Sequence, residues 1–566
     1  MNPIFTNRTN CAITLEKIWW KEAVVYQIYP RSFNDSNGDG IGDLPGIIDK
    51  LDYIQSLGVD VIWLNPIYGS PNDDNGYDIS DYQAIMAEFG SMADFDRLLT
   101  GLHERGIKLV MDLVVNHSSD EHIWFVESRK SRDNPYRDYY HWWPAENGKP
   151  APRWSFFDKD GDAWKYDETT NAYYLHYFSE KQPDLNWEHE PLRRAIYDMM
   201  HFWFQKGIDG FRMDVITFIS KDTTFPPIPD RYQGKMWDYF YASGPRLHEY
   251  LQEMNREVLS KYDVMTVAEG PGTSTETILD LVAEDRHELN MAYHFDIAYL
   301  GLLPRKMISP TGWNLVEFKA IQSRWDAVFA ERGWGTIYLG NHDQPRMVSR
   351  WGNDSPAWRE LSSKMLTTFI LSMRGTPYYY QGDELGMSNI RFDRIEDYRD
   401  LETIGWHGLV QREGGDLTQF IESHKVTARD NGRTPMQWDN SANAGFTTGT
   451  PWLSVNPNYP TVNVATEEAD PASCLHYFRK MVRLRRENDV LIYGQYALLD
   501  AANPQVYAYT RTWEGRRLLV LLNFSAEPAT ATIDLDLSRA TVLIGNYPSN
   551  TPSTEFRPYE AVIYDL

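Results

Sequence analysis

An α/β fold, a closed (β/α)8 barrel of the TIM type, follows from three features of this 566-residue chain. Short apolar, β-branched or aromatic runs recur eight times. Longer stretches with helical spacing of apolar residues separate them, and polar residues gather where the runs end. The runs are Val24–Tyr29, Val61–Pro66, Leu109–Val115, Gly210–Ile216, Val264–Ala268, Met291–Ile297, Thr336–Leu339 and Pro377–Tyr380. Continuous apolar character suits strands covered on both faces. Ser91–Glu104, Pro191–Gln205 and Trp358–Met373 are helix candidates between them. A doubly wound open sheet is the alternative that alternation alone leaves open.

Two regions break the pattern. From His117 to Gly210 there are about ninety residues, where a βα unit takes about thirty. The excess, 118–187, is rich in turn formers and in aromatics such as Trp142, Trp143, Trp154, Phe156 and Trp187. Linkers are poor in aromatics, so it reads as a small domain inserted after the third strand, over the barrel mouth. From Leu491 the helical spacing stops. Val506–Thr510, Leu518–Leu522, Ala531–Asp536 and Ala561–Asp565 alternate instead, which predicts an antiparallel β-sandwich over 491–566. The barrel then takes 1–117 and 188–490.

With 55 Lys plus Arg against 80 Asp plus Glu, the formal net charge is −25. This balance disfavours nucleic acid and anionic membrane surfaces as partners. Aromatics reach 14%, suiting either a large core or a site that stacks flat apolar faces against a ligand polar at its edges. Cys11 and Cys474 show no metal or redox spacing and read as reduced thiols. No run approaches the ~18 apolar residues of a membrane span, and no secretory leader is visible. A soluble, cytoplasmic monomer without an organic cofactor is expected.

The strand ends carry the chemistry. The third run closes with Asp112 and Asn116-His117, the fourth carries Arg212 and Asp214, the fifth closes on Glu269, and the seventh on Asn341-His342-Asp343. One strand-end aspartate is commonly a cap. Four loaded ends at one mouth are not, because each buried carboxylate costs several kcal/mol unless partnered. After the first strand, Asp35, Asn37, Asp39 and Asp43 place side-chain oxygens at alternate positions, with Gly40 at the turn and the Ile41 carbonyl as a further ligand. The pattern starts like an EF-hand loop and departs from it at position twelve, which is Gly46. A structural Ca2+, or Mg2+, is expected there.

On these residues the chain resembles the α-amylase superfamily of glycoside hydrolases. The blocks Asp112–His117, Gln182–Asp184, Gly210–Asp214, Val267–Glu269 and Asn341–Asp343 stand in the superfamily's order. Asn72–Asp78, Asn341–Arg346 and Arg429–Trp438 are similar to the oligo-1,6-glucosidases and related α-glucosidases. The resemblance implies a retaining, exo-acting α-glucosidase for isomaltose, panose and similar oligosaccharides. Asp214 would be its nucleophile, Arg212 would keep Asp214 ionised, and Glu269 would be the general acid. Asp343, His117 and His342 would hold the sugar hydroxyls. Asp74 and Arg433 would bind the terminal glucose above Tyr77, with Phe178 and Gln182 completing the wall. Val215 would favour α-1,6 over α-1,4 linkages, unless it is merely the β-branched residue that strands prefer.

The rivals are a sucrose isomerase, a sucrose-active or maltose-preferring α-glucosidase, and an inert transporter heavy chain on the same barrel. The first should carry an Arg-Leu-Asp-Arg-Asp-like segment that Leu302–Gly312 lacks, and threonine at position 215. The last should have a membrane anchor and damaged carboxylates.

Overall fold

The structure is a computed structural model that describes residues 17–157, 161–232, 238–548 and 551–566. Eight parallel strands form its centre: β1 (Val25–Ile28), β2 (Val61–Leu64), β3 (Lys108–Val114), β4 (Gly210–Asp214), β5 (Met265–Glu269), β6 (Met291–Tyr293), β7 (Thr336–Ile337) and β8 (Thr376–Tyr380). Their order runs from β6 back through β1 and on to β8 and β7. A parallel bridge between Ala292 and Gly335 closes the ring, which excludes the open doubly wound sheet. Among the described residues no helix is long and apolar enough to cross a membrane.

Register decides which side chains meet. Asp112 of β3 lies opposite Arg212 of β4, and Val114 opposite Asp214. Arg212 in turn pairs with Val267 of β5, and Met213 with Ala268. Asp214 and Glu269 therefore finish adjacent strands at one level. Gly210 makes the close pairing possible, since a Cβ there would sit 2.0 Å from the Met265 carbonyl oxygen. Outside the ring, the helix Met92–Glu104 begins in a Ser91/Asp94 capping box and buries Phe95, Leu98 and Leu102. The helix Glu190–Lys206 starts with Pro191 and stops at the left-handed Gly207.

The insertion holds three antiparallel strands, with Ala172–Leu175 between Trp142–Pro144 and Trp164–Asp167. Asp184 pins it to the barrel. Its buried carboxylate accepts from Asn116 Nδ2 at 2.7 Å and from the Tyr177 N–H at 2.6 Å, and lies 3.4 Å from Lys221 Nζ.

After the helix Asp489–Tyr493, five antiparallel strands run from Gln495 to Asp565. The small pair Ala529–Thr530 and Glu555–Phe556 packs over them as a second layer. One expected strand is absent: Ala531–Asp536 makes no ladder, although Ala531, Ile533 and Leu535 still pack on the core. Alternation marks the face that is buried, whereas a strand also needs a neighbour for its backbone groups. Cys474 is buried, and Cys11 lies outside the described residues.

Candidate active site

One guanidinium organises the barrel mouth. Arg212 Nη1 donates to Asp112 Oδ1 and Asp214 Oδ1, both at 2.7 Å, while Nη2 lies 2.6 Å from Glu269 Oε1. Three buried carboxyls share one cation. Burial pushes all three above the ordinary range, with Arg212 opposing it: Asp112 to about 6, Asp214 to about 7 and Glu269 to about 8. The last is also raised by the Asp214 and Asp343 charges. Such a site holds a proton near neutral pH, and Glu269 is where it is held most tightly.

The deep end is a hydrogen-bonded clamp. Gln27 Nε2, at the end of β1, donates to Asn65 Oδ1 and to His342 Nδ1, each at 2.8 Å. This leaves the proton on His342 Nε2, which lies 2.7 Å from the Tyr77 hydroxyl and 3.3 Å from Asp343 Oδ2. Tyr77 also stacks on His342, at 5.3 Å between ring centroids. Burial keeps His342 neutral. Asp343 moves the other way, well below the carboxylate range. Burial alone would raise it, but His342 beside it and the cations Arg429, Arg433 and Lys306 outweigh that.

Most expected site residues meet here, with one correction. Gln182 Nε2 donates to Asp74 Oδ2 at 3.0 Å and lies 3.3 Å from His117 Nε2. Burial and Lys221 lower His117 to about 3, so it is uncharged. Phe178 packs on His117, 5.0 Å between centroids. The guanidinium that approaches Asp74 belongs to Arg429, at 3.6 Å, and not to Arg433. Arg433 sits behind it, fully buried, donating to the His342 carbonyl at 2.8 Å and to Asp343 Oδ1 at 2.8 Å. Arg429 reaches the same oxygen at 3.1 Å and lines the cavity. Both arginines come from one short helical turn, so the sequence narrowed the choice without deciding it.

Val215 is not in strand geometry. It takes a left-handed conformation, φ 32° and ψ 40°, which is rare for a β-branched residue. Its N–H donates to Glu269 Oε2 at 2.8 Å, and the residue lines a cavity of about 710 Å³ that opens from Glu269 and Asp343 to solvent. A plain strand role for Val215 is thereby overturned.

Other contributors escaped the sequence reading. Gln27 and Asn65 are polar residues inside otherwise apolar runs, a signal that was available. Lys221 Nζ bonds Asn116 Oδ1 at 2.8 Å beneath His117. Asp400 grips Arg429 through Nε at 2.8 Å and Nη2 at 2.5 Å. Neither has a local motif to betray it.

In the Asp35–Asp43 loop, Asp35, Asn37 and Asp39 each accept backbone N–H groups two residues on. Asp43 turns Oδ2 into the same loop, where it accepts from the Ser36 N–H and hydroxyl, while its Oδ1 accepts from the Gly46 N–H and caps the helix Leu44–Ile48. Among the described residues, no three acidic, His or Cys side chains converge as a metal cage.

The description "Alpha amylase, catalytic domain" matches residues 27–494, and "Maltogenic Amylase, C-terminal domain" matches residues 496–563. The chain belongs to the α-amylase family. It is a glycoside hydrolase. An oligo-1,6-glucosidase of Parageobacillus thermoglucosidasius is 52% identical over 565 residues, covering 98% of this chain and 100% of that protein. One from Bacillus cereus is 50% identical over 559 residues, with 98% and 100% covered. A mutant of the trehalulose synthase MutB, solved with Tris, matches at a TM-score of 0.94 and 45% identity, covering 97% of this chain and 100% of that one.

Proposed function

We propose that this α-amylase-family chain is a retaining, exo-acting α-glucosidase that prefers terminal α-1,6-linked glucose in short oligosaccharides such as isomaltose and panose, and also accepts α-1,4 linkages. The observation that carries the reading is the Arg212 bridge, which holds Asp214 beside Glu269, and Glu269 lines the cavity. Asp214 Oδ attacks the anomeric carbon while Glu269, protonated, gives its proton to the leaving oxygen. Glu269 then takes a proton from water, which displaces Asp214. Two displacements keep the α configuration and need the carboxyls about 5–5.5 Å apart. Asp343 binds adjacent sugar hydroxyls, held ionised by Arg429 and Arg433. The Asp74–Arg429 pair closes the deep end, which supports removal of single glucose units.

The barrel (1–117 and 188–490) supplies the chemistry, the inserted domain 118–187 one wall of the cavity, and 491–566 a packing partner. A cytoplasmic monomer agrees with the composition. A structural Ca2+ or Mg2+ would use Asp35, Asn37, Asp39, Asp43 and the Ile41 carbonyl. A chelator should then lower the melting temperature.

The likeness to a trehalulose synthase makes sucrose isomerisation the second reading. Initial rates on isomaltose, panose, maltose, sucrose and trehalose, with products separated, decide between them. Glucose released fastest from isomaltose supports the glucosidase. Conversion of sucrose into an isomeric disaccharide would replace it.

A further inference from the structure

Glu269 has two tasks, and its carboxyl is arranged for one of them. Oε1 lies 2.6 Å from Arg212 Nη2, and Oε2 accepts from the Val215 N–H at 2.8 Å. Both partners donate and neither can accept. A carboxylate suits them. A carboxylic acid, which must point its own hydrogen at an acceptor, has to give up one contact. The structure therefore shows Glu269 in the pose of a base. The guanidinium is charged and also ties down Asp112 and Asp214, so the neutral amide is the contact more easily released. That amide is held in place against the preference of its own side chain. Val215, at φ 32° and ψ 40°, is strained for a β-branched residue, and strain of this kind gathers at working sites. The Phe218 N–H closes a tight turn on the Val215 carbonyl at 2.8 Å, and both side chains pack in one cluster with Tyr177 and Tyr241. The turn follows directly on β4 and directs the Val215 N–H at the side chain that ends β5.

We propose that the Val215 backbone is a dock for Glu269. Its N–H holds the ionised carboxylate in place as the general base, and lets go when the carboxyl gains a proton and turns toward the cavity as the acid. Val215 is then a positioning residue for the second displacement, through its main chain and separately from any effect of its side chain on linkage. The inference rests on the glucosidase reading of Asp214 and Glu269. In the first step Glu269, undocked, gives its proton to the leaving oxygen as Asp214 bonds to C1. Esterified, Asp214 has lost a negative charge that favours the proton on Glu269, and the carboxylate docks. In the second step it takes a proton from water, whose oxygen bonds to C1. The C1–O bond to Asp214 breaks, its electron pair returning to the carboxylate. The charged and titratable groups that act on Glu269 or feel its charge are Arg212 and Asp214 of β4, Asp112 of β3, and Tyr338 and Asp343 after β7.

Amide-proton NMR of the whole protein, grown with isotope-labelled valine, tests the dock; the Val215 signal is the one missing from Val215→Thr. As pH rises through about 8, this signal should move downfield, and Glu269→Gln should abolish that step while leaving any step that belongs to Asp214. A Val215 signal that stays still while kcat/KM declines on the alkaline side, or that moves alike in Glu269→Gln, overturns the dock. A second arm replaces Val215 by its α-hydroxy acid, which puts an ester oxygen where the N–H stood and keeps the side chain. With nitrophenyl α-glucoside near neutral pH, kcat and KM should fall together by about tenfold, because the glucosyl-enzyme waits for its base. Both should recover as the pH is raised, since alkali ionises Glu269 without the dock. An unchanged kcat, or a fall in kcat with KM unchanged at every pH, overturns the inference and leaves the glucosidase reading intact. No glucose from isomaltose with the wild type overturns that reading, and the dock falls with it.

Discussion

Strand β4 has an aspartate at each end, and the two live differently. Asp209, just before the strand, accepts from the Leu109 N–H at 2.8 Å and from Lys108 Nζ at 3.1 Å, and pairs with His103 Nε2 at 2.8 Å. It has two basic side chains to itself at the edge of solvent. Asp214, closing the strand, is 8% exposed and shares Arg212 with Asp112 and Glu269. The lower end balances charge and the upper end runs short of it. A fold keeps such a shortage where it is chemically useful, because crowding carboxyls around one cation costs stability while setting protons near neutral pH.

The sharpest way to break this contrast is to remove each aspartate's charge. Asp214→Asn should lower kcat/KM on isomaltose by about 10⁴-fold or more. Asp209→Asn should leave it within about twofold and lower the melting temperature by about 2 °C. Equal losses of activity would dissolve the distinction between the two ends.

Glu269→Gln should separate activity from stability. Hydrolysis of isomaltose should fall about 10³-fold, yet the melting temperature should rise. The sign follows from linkage: the folded pKa, about 8, lies above the ordinary 4.5. The unfolded chain therefore loses its proton first, and this carboxyl costs stability increasingly as pH climbs from about 4.5 to about 8. The advantage of Gln should grow across that window and then stay level. For the wild type, kcat/KM should fall above about 8 as Glu269 loses its proton, and below about 7 as Asp214 gains one.

Asp400→Asn tests how the deep clamp is held. Losing the charge that orients Arg429 should raise KM about tenfold with a smaller loss in kcat, since glucose binding suffers before bond breaking. A purely structural role would instead lower the folded fraction and leave KM unchanged. The smallest effect belongs to Val215→Thr. The ratio of kcat/KM on maltose to that on isomaltose should rise by up to about tenfold, the scale of one methyl-for-hydroxyl exchange.

Much of this was legible from the residues. All eight barrel strands follow from apolar runs, because a strand buried on both faces writes its burial directly into composition. Asp214 and Glu269 could be placed at one mouth because strand ends are a local property. What stayed hidden depends on contacts distant in sequence. The choice of Arg429 over Arg433 turns on side chains four residues apart on one helical turn, and on Asp74 far upstream. The left-handed backbone of Val215 contradicts the preference of its side chain, so propensity pointed the wrong way. Ala531–Asp536 shows the same limit in the C-terminal sheet: its alternation reports the buried face and says nothing of hydrogen-bond partners.

Proton NMR of the glucose released from nitrophenyl α-glucoside, whose leaving group has no anomeric centre of its own, tests the shared-ring geometry of Asp214 and Glu269 most directly. The account predicts that α-glucose appears first and that the β anomer grows in only at the rate of mutarotation. Initial release of β-glucose would mean a single displacement by water, and would contradict it.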